Sequence, residues 1–204
     1  MKIRIFFLNM IICFLMVENV SAQAPYEIAG FALGKNIVDY QEMIRMETML
    51  PIRYAEFLKE VEIRNIPGYK SGLITYGDCA DPGRILRIKL KYADSSRQFY
   101  NKLLDRYKKR FGKPDRWRGD PFHVLVAWKW SFTDKDGNRI SMILQHNIED
   151  ETKKIGNAVK LAMLNFEEEE IQCFGKKESE LRVPQMDRES KAGAEPNWDL
   201  LIPR

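Results

Sequence analysis

Val124-Leu-Val-Ala-Trp-Lys-Trp-Ser-Phe-Thr133, then Asp134-Lys-Asp-Gly-Asn138, then Arg139-Ile-Ser-Met-Ile-Leu-Gln-His146, is the stretch whose reading decides the fold. Strict alternation puts Val124, Val126, Trp128, Trp130 and Phe132 on one face, because successive side chains of an extended chain point to opposite sides. The polar connection returns the chain as a second strand, so the stretch reads as a β-hairpin. Pairing Thr133 with Arg139 sets Phe132 opposite Ile140, Trp130 opposite Met142, Trp128 opposite Leu144 and Val126 opposite His146. Every aromatic ring then meets an apolar or amphipathic partner. A slip of one residue would turn the whole row to the wrong face.

A helix precedes this hairpin. Ser95-Ser96-Arg97-Gln98 is a capping-box pattern, in which hydroxyl and amide satisfy the orphan backbone groups of a first turn. Phe99, Leu103, Tyr107 and Phe111 recur at every fourth residue, and Tyr100 and Leu104 widen the stripe. Gly112 suits the left-handed cap that ends a helix, and Pro114 prevents its resumption.

Working outward, Tyr26 to Gly34 reads as a short extended lead-in, and Asn36 as the cap of a first helix. Ile37, Tyr40, Met43 and Ile44 make its stripe, and it ends before Pro51. Strands follow at Ala55 to Arg64 and at Tyr69 to Gly77, joined by the turn Asn65-Ile-Pro-Gly68. Ile85 to Tyr92 alternates without fault, with Leu86, Ile88, Leu90 and Tyr92 inward and Arg87, Lys89 and Lys91 outward. One face buried and one wet describes an antiparallel sheet. After the hairpin come a polar loop (Ile148 to Gly156), a strand (Asn157 to Asn165) and a closing helix (Phe166 to Leu181). Four acids, Glu167 to Glu170, complement the dipole at the start of that helix. The order is a helix and three strands, twice, then a third helix. It predicts an α+β fold: about six antiparallel strands with helices on one face, the usual sheet size.

The chain has 204 residues, 45% of them hydrophobic and 30% charged, with a net charge of +4. That length suits one domain, and the charge is too modest to indicate nucleic acid. Lys2 and Arg4, the apolar run Ile5 to Val17, and small residues at Val20-Ser21-Ala22 and Ala22-Gln23-Ala24 make a signal-peptide layout. The expected organisation is a signal peptide over residues 1–24, one domain over 25–182 and a disordered tail over 183–204. Cleavage, after Ala22 or Ala24, sends the chain to the periplasm or outside the cell and leaves no segment able to span a membrane. It also removes Cys13, leaving Cys79 and Cys173, which an oxidising compartment permits to pair. Within the tail, Trp198-Asp-Leu-Leu-Ile202 stands out as an apolar cluster able to dock on a partner or back on the sheet.

Phe31-Ala-Leu-Gly34 before a helix, and a helix ending Phe111-Gly-Lys-Pro114, resemble marks of small exported bacterial α+β proteins. The β-lactamase-inhibitor-like and outer-membrane small-lipoprotein families carry similar ones. The resemblance covers about eight residues, rests partly on simple helix capping, and implies binding of proteins in place of catalysis. It transfers no residue role.

Residues for catalysis are scarce. His123 and His146 have opposite parity on their strands and cannot share a metal ion unless a bulge intervenes, and His146 ends an apolar row as a satisfied rim residue. Asp134-x-Asp136-x-Asn138 resembles the start of a calcium loop, but Gly137 is misplaced and no glutamate closes it. No catalytic, cofactor or metal residue is assigned. Charge is more informative, with nine basic against two acidic residues between Arg97 and Arg118. Arg97, Lys102, Arg106, Lys109, Arg110, Lys113, Arg116, Trp117 and Arg118 form a candidate patch for an acidic protein or an anionic envelope surface. The charged outer face of any amphipathic helix explains the same residues more simply. The function expected is that of an exported, non-catalytic envelope protein. The alternative is an enzyme with a carboxylate-based site acting on cell-wall material.

Overall fold

The structure is a computed structural model that describes residues 24–122, 124–147 and 156–181. Its elements run β1 (Glu27–Ile28), β2 (Phe31–Ala32), a 3-10 helix (Ile37–Met43), β3 (Ile44–Ile52), β4 (Ala55–Ile63), β5 (Tyr69–Gly77) and β6 (Ile85–Tyr92). Then come α1 (Arg97–Phe111), β7 (Arg116–Trp117), β8 (Leu125–Thr133), β9 (Arg139–Asn147), β10 (Ala158–Met163) and α2 (Leu164–Leu181). β1 and β2 make a small ribbon, and the other strands form one sheet in the order β3-β4-β5-β6-β10-β9-β8-β7. Every neighbouring pair is antiparallel.

The hairpin β8–β9 carries the expected register from Thr133↔Arg139 to Val126↔His146. That register extends across the sheet as one apolar row: Val61, Ile74, Ile88, Leu161, Met142 and Trp130, each facing the next on the adjoining strand. All six are buried, and each contributes about 1.5–3 kcal/mol by leaving water. α1 lies over this face. Tyr100 is fully buried beneath it, and Phe99, Leu103, Leu104, Tyr107 and Phe111 pack on the same core. The N-cap is Ser96, whose hydroxyl accepts from the Phe99 amide at 3.2 Å. Gly112, at φ 77°, closes the helix through its N–H to the Lys108 carbonyl.

α2 does something different. Glu168 reaches Arg139 at the start of β9, Glu169 and Glu167 reach Arg84 and Arg87 around the start of β6, and Phe174 meets Phe57 at the start of β4. The helix therefore crosses the strand ends from β9 towards β4, and does not lie beside α1.

These findings overturn the α+β arrangement of about six strands with helices on one face. The protein is mostly β, 45% strand against 26% helix, with an eight-stranded sheet. The first helix is where the expectation failed. Asn36 does cap a helical segment, accepting from the Val38 amide at 3.1 Å, but only as far as Met43. At Ile44 the backbone turns extended (φ −122°, ψ 165°) and residues to Ile52 pair with β4. Arg45-Met-Glu-Thr-Met-Leu50 has good helix formers, but pairing with the open edge of β4 outweighs a local preference of a few tenths of a kcal/mol per residue. Pro51 is tolerated because β3 is an edge strand. The eighth strand, β7, is too short for any periodicity to reveal.

Candidate functional site

α1 holds the basic residues because its stripe of large apolar residues is spent on the sheet, leaving Lys102, Arg106 and Lys109 on the outward side. All three are exposed, as are Arg97, Arg110, Lys113, Arg116 and Arg118. The structure does not gather the nine candidates into one cluster. Arg97 turns back over the Tyr100 ring, 5.4 Å from its centroid, and Arg110 covers Phe111 at the same distance. The helix separates these two by about 20 Å, at 1.5 Å per residue. Lys102, Arg106, Lys109 and Lys113 continue along the outer side as a stripe.

Arg116 and Trp117 divide. Successive residues of β7 point to opposite faces, so Trp117 sits edge-on against Trp128 at 4.9 Å and packs on the core. Arg116 faces Lys129 across the strand pair, a like-charge contact that is unfavourable unless something anionic lies near it. Arg118 anchors the chain through its backbone N–H to the Ala127 carbonyl and leaves its side chain exposed. The basic surface thus runs along α1 and turns at the β7 edge. Trp117 belongs to the core and not to that surface.

The acids nearby hold loops together. Asp115 accepts from the Ser131 amide, and Asp120 accepts from the amides of Phe122, Val124 and Leu125. Those backbone bonds hold the Asp120 carboxyl below the usual range. Neither forms an ion pair with the candidate bases among the described residues.

The four acids that open α2, Glu167 to Glu170, are more than dipole complements. Glu167, Glu168 and Glu169 each take a separate arginine, as given above. Glu170 is wholly buried and accepts from the amides of Cys79 at 2.8 Å, Ala80 at 3.1 Å and Asp81 at 3.0 Å. Gly77 is what admits it, since a Cβ there would come within 2.2 Å of the carboxylate. Sequence reasoning missed this cradle; the one local signal was a glycine ending an otherwise β-rich strand. The cradle presents Cys79 to Cys173, and their sulfur atoms lie 2.06 Å apart with Cα atoms at 5.9 Å. The expected pair is present.

His146 is buried at 3% exposure and not at a rim. It stacks on Tyr100 at 5.1 Å, and its Nδ1 lies 2.7 Å from Asn157 Oδ1. Asn157 donates in turn to the carbonyls of Asp94 and Ser96, tying β10 to the cap of α1. Burial pushes the imidazole pKa down from 6.5. His123 lies outside the described residues, as do the signal-peptide residues 1–23 and the tail.

The Asp134 carboxylate is occupied by its own loop, accepting from the amides of Asp136 and Asn138, from the Asn138 side chain and from the Tyr26 hydroxyl. These bonds, that from Tyr26 foremost, bring its pKa to about 2; desolvation, together with the bond to Asp134, lifts that of Tyr26 to about 12. Among the described residues no three His, Cys, Asp or Glu side chains gather as metal ligands. An open depression of about 200 Å³ lies by the β4–β5 turn, and its single carboxylate, Glu62, is paired with Arg45 at 3.3 Å. No helix among the described residues is long and apolar enough to cross a membrane.

Fold and site together define an eight-stranded antiparallel β protein with one helix on its face, one across its strand ends, and a basic outer surface. No known family, curated protein or solved structure matches this chain.

Proposed function

We propose that this is an exported, non-catalytic envelope protein whose α1 surface binds an acidic protein or an anionic envelope surface. One observation carries the reading. The first four acids of α2 are spent on arginines of the sheet and on a backbone cradle, while Lys102, Arg106, Lys109, Lys113 and Arg116 form no ion pair among the described residues. Unpaired positive charge along a helix about 22 Å long raises the local concentration of any anion and steers its approach. The signal-peptide layout supports export, and a cysteine pair of this kind persists in an oxidising compartment.

The experiment is co-sedimentation of the full chain with vesicles of phosphatidylglycerol and, separately, of phosphatidylcholine, and a pull-down on a polyglutamate resin. Retention on at least one anionic matrix, weakened by raising salt from 0.05 to 0.5 M as screening requires (about 14 to about 4 Å Debye length), is the expected result. Lys102→Glu/Arg106→Glu/Lys109→Glu should abolish it while leaving the melting temperature unchanged. Equal retention of wild type and variant would defeat the proposal.

A further inference from the structure

The edge strand β3 and its turn to β4 carry apolar side chains that the fold leaves exposed. Met46 is 41% exposed, Met49 40%, Leu50 67% and Tyr54, in the turn to β4, 88%. Scattered apolar residues on a surface are ordinary, but four within nine positions along one edge strand and its turn are a concentration. Tyr54 also holds a left-handed backbone, φ 70°, which bulky residues adopt only at a cost. Asparagine or glycine would serve the turn better; the ring here meets the Arg53 guanidinium 5.0 Å from its centroid and is otherwise open to solvent.

The local geometry argues against another strand as the occupant. Between Arg45↔Glu62 and Leu50↔Glu60, β3 has four residues where β4 has one. The slack is taken up by Thr48, whose hydroxyl donates to the Arg45 carbonyl at 2.7 Å and accepts from the Glu62 amide at 3.0 Å. A bulge of this size and Pro51 break the regular row of donors that edge-to-edge pairing with a second copy requires. Side chains are left to dock there.

The course of α2 supplies the occupant. It travels along the strand ends from β9 to β4, passing Phe57 at Phe174, and the β3–β4 turn lies at that same end of the sheet. Seven further residues add about 10 Å in the same direction, so the chain leaves the helix beside β3. From Leu181 to Trp198 there are 17 residues, enough to reach about 55 Å extended and about 23 Å as a flexible coil. Residues 183–197 are polar or small, apart from Val183 and Met186, up to Trp198-Asp-Leu-Leu-Ile202. We infer that Trp198, Leu200 and Ile202 fold back onto Met46, Met49, Leu50 and Tyr54, covering the tip of β3 within one molecule. Tethering makes this contact effectively millimolar, so a small apolar patch suffices. The inference does not depend on the basic surface of α1, which lies over the sheet face.

The test places a photo-crosslinking benzoylphenylalanine at position 54 of the full chain, where the side chain is exposed, using a mixture of isotopically light and heavy protein. Crosslinks to residues 196–204 within chains of one isotope are expected. In parallel, hydrogen exchange over residues 44–54 should be about tenfold faster in Trp198→Ser/Leu200→Ser/Ile202→Ser than in wild type, since local opening is governed by such covering contacts. That variant alters nothing in the described core. Mixed-isotope crosslinks would assign the patch to a second copy and overturn the inference. Crosslinks elsewhere, or unchanged exchange, would overturn it as well. Anionic-matrix binding should be the same in both chains, which separates this result from the reading of α1.

Discussion

The indole Nε1 of Trp130 donates to the carbonyl of Gly112 at 2.9 Å, joining the centre of β8 to the cap of α1. One residue thus completes the apolar row of the sheet and bonds the carbonyl that caps α1, tying helix to strand. Trp130→Ala should cost about 3–5 kcal/mol, and Trp130→Phe, which keeps most of the volume but loses the bond to the Gly112 carbonyl, about 0.5–1.5 kcal/mol. Lys129→Ala, on the opposite face and across from Arg116, should stay within about 0.5 kcal/mol. Urea melts of the three variants decide this, and equal losses at 129 and 130 would contradict the assigned face.

Glu170 makes a second point of attachment. Glu170→Gln keeps the shape but turns an NH₂ group towards backbone donors, and should cost about 1–3 kcal/mol. Glu170→Ala leaves three amides unsatisfied and should cost more. Gly77→Ala should be at least as damaging as Glu170→Gln, because its methyl occupies the carboxylate's space. Thermal melts compare them; a neutral Gly77→Ala would show that the cradle is looser than described.

Cys79 and Cys173 are 94 residues apart in sequence, and chain entropy assigns about 4–5 kcal/mol to such a crosslink. Oxidatively purified protein should show no titratable thiol until reduced and denatured. Cys79→Ser and Cys173→Ser should lower the melting temperature equally, since either opens the same loop.

His146 sets a pH dependence. The Asn157 amide donates to two carbonyls, so its oxygen is the acceptor and the neutral imidazole carries its proton on Nδ1. Its folded pKa lies below the unfolded value of 6.5, so the unfolded chain binds the additional proton. Stability is therefore full above about pH 6.5 and falls as pH drops towards the folded pKa, by at most about 1.4 kcal/mol per pH unit. Melting temperature should decline from pH 7.5 to 5.5, and His146→Phe should flatten that slope. A wild-type slope unchanged in the variant would remove His146 as the cause.

Ala24 packs against the core. On the proposed export, N-terminal sequencing of protein recovered from the envelope should begin at Gln23, which keeps that contact, in preference to Pro25. A chain still beginning at Met1 would end the export reading.

Where the sequence was legible, the cause was local. A period of two from Val124 to Phe132 and from Ile140 to His146 leaves one register that sets every aromatic residue on the core face, so β8 and β9 pair residue by residue as read. The stripe from Phe99 to Phe111 and the Gly112 cap define α1 without help from elsewhere. The basic outer side of α1 follows directly, because whatever is not buried on a packed helix is exposed. Trp117 was grouped with those bases by proximity in sequence, and pairing with β8 turned it inward.

Tertiary structure decided the rest. Ile44 to Ile52 is a strand because β4 offers it an edge, and no property of those nine residues outranks that pairing. Glu170 sits in a cradle built about 90 residues away, so the acidic run of α2 reads as dipole complement until the loop after β5 is brought to it. The path of α2 across the strand ends is likewise set by partners on three different strands. Short-range periodicity and capping are written in adjacent residues; edge pairing, buried-charge satisfaction and helix placement depend on groups that meet only when the sheet closes.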